Sequence, residues 1–347
     1  MDMGKLERYK NNIYFGKEYT LLLQKWAKKE VEDDKKLMRR QCPVCGSSYE
    51  NPLFKAPVYT FFPCKRCGLV HAKNVLNDSE INKFYKNNEI YQLLWKRDYD
   101  DIAKKKDFPT HNSIVKKILQ YRENNDKCLD IGCGFGKLLY ELKPYFKRVQ
   151  GIELNLETSK RGGELFGIRI FTKELKELNL PSNSYDVIIL NQVIEHLNDF
   201  NSLFKEVYRI LKPSGIVYIG CPNMDSISMK LFKEAHIHVS THAHINMFNR
   251  RSLIFLAEKH GFSVEEIKST NELDITLIDV LYFYFNRQKF VHRHNYNAVL
   301  TPISLLIEHV MERIFNKLDK IYWQVGRGGS YLEVIFKKSR FMKVANK

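Results

Sequence analysis

The 347-residue sequence has no run of the roughly 20 uninterrupted apolar residues that a bilayer crossing requires. Its longest candidate, Ile275 to Phe285, is too short and is broken by Asp279. There is no basic-then-apolar leader, since the chain opens Met1-Asp2-Met3-Gly4-Lys5-Leu6-Glu7-Arg8. Both absences predict a protein made and kept in the cytoplasm. No internal repeat and no low-complexity segment is visible, and the apolar and charged fractions, 44% and 28%, are those of a globular chain. Acidic residues are comparatively few, 40 against 56 Lys and Arg, which leaves a formal net charge of +16. That excess favours acidic partners: nucleic acid, anionic lipid, or a phosphorylated substrate such as a nucleotide sugar. Solubility in a lysine-rich proteome accounts for it equally well. The basic residues are scattered, and no arginine-rich tract interleaved with aromatics marks a nucleic-acid footprint.

Seven cysteines are present, and their spacing argues against a disulfide framework. Four form two C-x-x-C pairs, while Cys128, Cys133 and Cys221 stand singly in apolar or glycine-rich settings. In a reducing compartment this pattern reads as metal ligands plus buried thiols.

The hydrophobic pattern divides the chain into six segments. Residues 1–40 read as a charged helical lead-in, with Tyr19, Leu22, Leu23 and Trp26 at helical spacing. Residues 41–75, rich in Cys, Pro, Gly and aromatics, form a candidate zinc ribbon, and residues 76–126 are helical again. From Lys127 short apolar runs alternate with helical patterns: 128–131, 149–153, 168–170, 185–190 and 215–220, then Phe262 to Lys268. Strand–helix alternation of this kind predicts a doubly wound α/β core over 127–271, with a parallel sheet covered on both faces. A helical insertion or cap follows over 272–326, then a last strand and tail over 327–347.

The centre of the functional argument is Leu129-Asp130-Ile131-Gly132-Cys133-Gly134-Phe135-Gly136, a strand that delivers an acid and then three glycines opening a helix near Lys137. Glycines there let the backbone approach a ligand closely, at the strand ends where open α/β sheets bind theirs. The spacing is G-x-G-x-G and not the G-x-G-x-x-G of dinucleotide binding. It resembles motif I of the class I S-adenosylmethionine-dependent methyltransferases. Further segments resemble the same family: Glu153-Leu154 after the second strand, Glu174-Leu175 after the third, Leu180-Pro181-x-x-Ser184-Tyr185-Asp186 before the fourth, and Leu211-Lys212-Pro213-x-Gly215 before the fifth. The resemblance implies a Rossmann-like, seven-stranded, mostly parallel sheet. It also implies that Asp130, Gly132, Cys133, Gly134, Gly136, Glu153, Leu154, Glu174, Leu175 and Asn191 bind S-adenosyl-L-methionine, with Glu153 on the ribose hydroxyls.

Methyl transfer to oxygen or carbon needs a base as well as alignment. Asn191-Gln192-Val193-Ile194-Glu195-His196-Leu197 follows the fourth strand, and family resemblance places its Glu-His pair near the acceptor. His196 is the first choice as base, since an unperturbed imidazole titrates near neutral pH; a structural role for Glu195 and His196 is the alternative. Some RNA- and quinone-modifying relatives read Glu-x-x-Glu-His here and bind a divalent metal. Gln192 stands where their first Glu would, so no catalytic metal is expected. After the fifth strand come His236, His238, His242 and His244 within nine residues. His244 matches the first histidine of a family segment reading His-Leu-His-Phe-Phe, and Asn246 replaces the second. His244 is therefore an acceptor-site candidate, against a packing role, and His236 and His238 read as lid residues.

Cys42-Pro43-Val44-Cys45-Gly46 and Cys64-Lys65-Arg66-Cys67-Gly68 lie 18 residues apart. Paired C-x-x-C-G knuckles predict a tetrahedral structural zinc on Cys42, Cys45, Cys64 and Cys67. The arrangement resembles bacterial methyltransferases of deoxysugar and surface-polysaccharide pathways. Their C-methylating members usually carry a further C-terminal domain, whereas this sequence ends after its last expected strand, so methylation of an oxygen or nitrogen, less so of a carbon, on a nucleotide-linked sugar or polysaccharide intermediate is expected. An RNA methyltransferase is the alternative suggested by charge and ribbon, and a quinone- or lipid-type O-methyltransferase is another. The amphipathic 272–326 segment covers the acceptor site, forms a homodimer face or rests on a membrane surface.

Overall fold

A computed structural model describes residues 22, 25–48, 51–56, 58–87, 111–226, 229, 230, 233, 238, 239, 243–270 and 329–339. The 272–326 insertion, His236 and His242 lie outside the described residues.

Thirteen strands are described. β1 (Leu37–Arg39), β2 (Phe54–Lys55), β3 (Thr60–Pro63), β4 (Val70–Ala72) and β5 (Asn74–Leu76) precede the core. The core strands are β6 (Lys127–Ile131), β7 (Arg148–Ile152), β8 (Arg169–Phe171), β9 (Tyr185–Asn191), β10 (Leu211–Pro222), β12 (Phe262–Thr270) and β13 (Tyr331–Lys338), with the two-residue β11 (Asn246–Met247) between. The helices that matter below are α1 (Asp78–Asn87), α2 (Asn112–Tyr121), α3 (Lys137–Leu142), α4 (Leu156–Phe166), α5 (Phe200–Ile210) and α6 (Arg250–Lys259).

The core sheet runs in the order β12-β13-β10-β9-β6-β7-β8. Its pairs from β8 to β10 are parallel, and β13 lies antiparallel to both β10 and β12. The seven strands match the expected runs because each central strand is buried on both faces and must be apolar throughout. Alternation decides which side chain serves which face. Val187 and Ile189 of β9 pack with Ile114, Ile118, Leu139 and Leu142 of α2 and α3. Ile188 and Leu190 pack on the other side with Phe200, Phe204, Leu253 and Leu256 of α5 and α6. The order of the strands reverses between β6 and β9, and a ligand crevice is expected at the carboxyl ends of those two strands.

The lead-in is helical over residues 25–31, then turns through Asp34–Lys36 into β1, which pairs with β5. A strand therefore falls within the stretch read as helical. The ribbon sheet has the order β11-β4-β3-β2, so one of its four strands comes from the catalytic half of the chain, about 175 residues later. No helix among the described residues is long and apolar enough to cross a membrane.

Candidate active site and metal centre

β6 carries Asp130 to the crevice, and the chain then turns through Gly132, Gly134 and Gly136 at φ of 75°, 53° and 80°. These left-handed values explain the glycines, and a Cβ on Gly132 would stand 2.6 Å from Val193 Cγ2. The loop is fixed to the next strand: Gly132 N and Cys133 N both donate to Ile152 O, at 2.8 and 3.0 Å. Gly134 N donates to Glu153 Oε2 at 3.2 Å, and Asn155 N to Glu153 Oε1 at 2.8 Å. Each carboxylate oxygen keeps a further lone pair for a ligand hydroxyl. Burial raises the Glu153 pKa and these amides oppose the shift. Leu154 follows, half-buried.

Asp130 is buried, and its Oδ1 has no hydrogen-bond partner among the described residues. Burial, and then the Glu153 charge, push its carboxyl well above the usual range. An orphaned acid beside a cradle of glycines fits a ligand carrying an ammonium group, as the methionine part of S-adenosylmethionine does. The Cys133 thiol, raised by burial, lies 3.6 Å from Gly134 O. Glu174 accepts from Asn82 Nδ2 of α1 at 2.9 Å and pairs with Lys176 at the same distance, while Leu175 is buried in the core.

Asn191 ends β9, and its Oδ1 accepts from Tyr331 Oη at 2.7 Å. Gly220 makes room for this bond, since a Cβ there would lie 2.2 Å from Asn191 Oδ1 and 2.4 Å from Tyr331 Oη. Sequence reasoning missed Tyr331; its one signal is a place at the start of the last strand.

Beyond β9, Ile194–His196 forms a 3-10 helix, with Glu195 fully buried. His196 Nδ1 lies 3.0 Å from Ala243 O and His244 Nδ1 lies 2.8 Å from His238 O. A carbonyl only accepts, so in both rings Nδ1 carries the proton and Nε2 is the acceptor nitrogen. The two ring centroids are 4.7 Å apart, and the His238 ring lies 5.5 Å from that of His244. Burial lowers the His244 pKa to about 4, which keeps it neutral at neutral pH and makes it a weaker base than a free imidazole. Glu195, His196 and His244 each offer a ligand atom, all within 4.8 Å of one another. The loss of a carboxylate at Gln192 thus leaves three potential ligands together, a convergence that local spacing does not reveal.

The four ribbon cysteines also converge, with every Sγ within 4.8 Å of the others. Cys42 Sγ lies 3.5 Å from Cys67 Sγ, and Cys45 Sγ 3.3 Å from Cys64 Sγ. A tetrahedral zinc with bonds near 2.3 Å sets sulfurs about 3.8 Å apart, so the set fits that ion. Equivalent turns present the two pairs: Gly46 N donates to Cys42 O and Gly68 N to Cys64 O, both at 2.8 Å. α6 holds the knuckles from outside. Arg251 Nη2 donates to Lys65 O and Arg66 O at 2.7 and 2.8 Å, and Lys259 Nζ to Val44 O at 2.6 Å.

Residues 105–267 match the family model described as "Methyltransferase domain". A ubiquinone biosynthesis O-methyltransferase of Pelagibacter ubique is 27% identical over 223 residues, 57% of this chain and 89% of that protein. A probable S-adenosylmethionine-dependent methyltransferase of Mycolicibacterium smegmatis is 27% identical over 175 residues, 50% of this chain and 66% of its own length. The chain is an S-adenosylmethionine-dependent methyltransferase. A solved S-adenosylmethionine-dependent methyltransferase from Archaeoglobus fulgidus superposes at TM-score 0.44 and 19% identity, covering 76% of this chain and 100% of that one. The matched family segment of the methyltransferase begins after the four clustered cysteines.

Proposed function

We propose that this methyltransferase acts on an oxygen or nitrogen of a nucleotide-linked sugar or polysaccharide intermediate, with His196 as general base and a structural zinc in the ribbon. The observation that carries the base assignment is the Nδ1 contact of His196 with Ala243 O at 3.0 Å, which presents Nε2 as the proton acceptor. Bound at the glycine loop, S-adenosylmethionine supplies a methyl group already made electrophilic by its sulfonium. The chain's own tasks are to align the acceptor and to take its proton. His196 Nε2 takes that proton, and Glu195 Oε1, 3.9 Å away, stabilises the imidazolium that forms. The net charge of +16 supports a phosphorylated acceptor.

A second reading is quinone-type O-methylation assisted by a divalent ion on Glu195, His196 and His244, favoured by their convergence and by the name of the Pelagibacter relative. Labelled-methyl transfer from S-adenosylmethionine to a panel of nucleotide sugars and a catechol, with and without magnesium, separates the two. Label on a nucleotide sugar without magnesium, reduced about 100-fold or more in His196→Ala, is the expected result. Magnesium-dependent label on the catechol alone would replace the first reading with the second.

A further inference from the structure

Arg40 directly follows β1, two residues before the first knuckle, and is buried, yet no ion pair joins it to a carboxylate among the described residues. Its guanidinium is held by carbonyl oxygens. Nε donates to Ala72 O at 3.1 Å, Nη1 to Leu197 O at 3.4 Å, and Nη2 to both Ile245 O and Asn246 Oδ1 at 2.9 Å. Asn246 is fully buried and turns its amide nitrogen the other way, donating to Leu197 O at 2.8 Å and Glu195 O at 3.3 Å. Backbone bonds close the same circle: Ile245 N donates to Glu195 O at 3.0 Å and Ala72 N to Ile245 O at 2.9 Å.

Three distant segments meet at this pair. The junction of the lead-in with the ribbon contributes Arg40 and ribbon strand β4 contributes Ala72, the turn after β9 contributes residues 194–197, and the start of β11 contributes Ile245 and Asn246. His196 lies between two residues whose carbonyls are held, and His244 directly precedes a third. A buried guanidinium without a counter-charge adds little stability, and an apolar residue of similar volume is commonly at least as stable in such a place. What an apolar residue cannot supply is a rigid fork addressing carbonyls on separate segments at once.

We propose that Arg40 and Asn246 are positioning residues that lock the turn bearing Glu195 and His196 against the segment bearing His244, so that the ribbon sets the spacing of the two imidazoles. The proposal rests on the reading of those histidines as acceptor-site groups. Neither residue lies at the glycine loop, so cofactor affinity is not their task.

The test uses the zinc-loaded full chain with histidine rings isotopically labelled, comparing wild type with Arg40→Lys and Asn246→Ala. The His196 and His244 ring signals are expected to move, with titration midpoints changed by about half a pH unit or more. S-adenosylhomocysteine is expected to bind within about twofold of wild type. His260, at the far end of α6, should keep its signal. Unmoved His196 and His244 signals in both variants would overturn the proposal. Loss of S-adenosylhomocysteine binding together with a displaced His260 would do so too, since that result describes general destabilisation. The base assignment fails separately, by retained turnover in His196→Ala, which leaves the ring-position test intact.

Discussion

His260 closes α6 with its ring 5.5 Å from that of Phe204, and burial lowers its pKa from 6.5 to about 4. Between those values the unfolded chain binds more protons than the folded one, so stability rises with pH across the window. It is fully present above pH 6.5 and is lost as the pH falls towards 4. The unfolding free energy read from urea denaturation should therefore drop between pH 7 and pH 5, by at most about 1.4 kcal/mol per pH unit for this group. His260→Phe is expected to flatten part of that slope, and equal slopes in the two proteins would refute the assignment. His244, lowered by burial to the same value, accounts for a further share. Single residues were legible in the sequence where the backbone demanded them. Gly132, Gly134 and Gly136 announce left-handed turns, and Asp130 and Glu153 announce strand ends. Arg40, Asn246 and Tyr331 were not legible in their roles, because each acts through partners on separate segments of the chain: Arg40 on Ile245, Asn246 on Leu197 and Tyr331 on Asn191.

At the scale of elements, the legible ones are those whose burial imposes a pattern. The core strands are apolar on both faces, and α5 buries Phe200, Phe204, Val207 and Ile210 along one stripe behind an Asp199 cap. β1, β2 and β11 have two or three residues each and leave no period to read. The convergence of the four cysteines was legible from the spacing of their two pairs, but the fourth strand of the sheet beside them was not. Since the knuckles pack on α6 and into the same apolar cluster as Leu253 and Leu256, a metal held by them would contribute to the stability of that face. The purified chain is expected to carry one zinc, lost in Cys67→Ser together with several degrees of thermal midpoint. Elemental analysis and a melting curve check both parts. A wild-type chain without zinc, or a Cys67→Ser chain that retains it, would contradict the assignment.

For the whole molecule, one sheet serves two functions. Its parallel half presents the glycine loop and Glu153. Its edge beyond β10 presents Tyr331 to Asn191, and the chain between β10 and β12 presents His244 and then builds onto the ribbon. Glycine-loop crevice, histidine cluster and cysteine knuckles thus share one framework. The acceptor itself was not legible, because many chemistries share this fold and are distinguished by side chains gathered from separate segments. The central claim is that the glycine loop and Glu153 hold S-adenosylmethionine. Calorimetric titration of the zinc-loaded protein with S-adenosylmethionine and with S-adenosylhomocysteine tests it most directly. Micromolar binding of both, abolished by Glu153→Ala, is the predicted result. Absence of binding, or binding indifferent to Glu153→Ala, would contradict it.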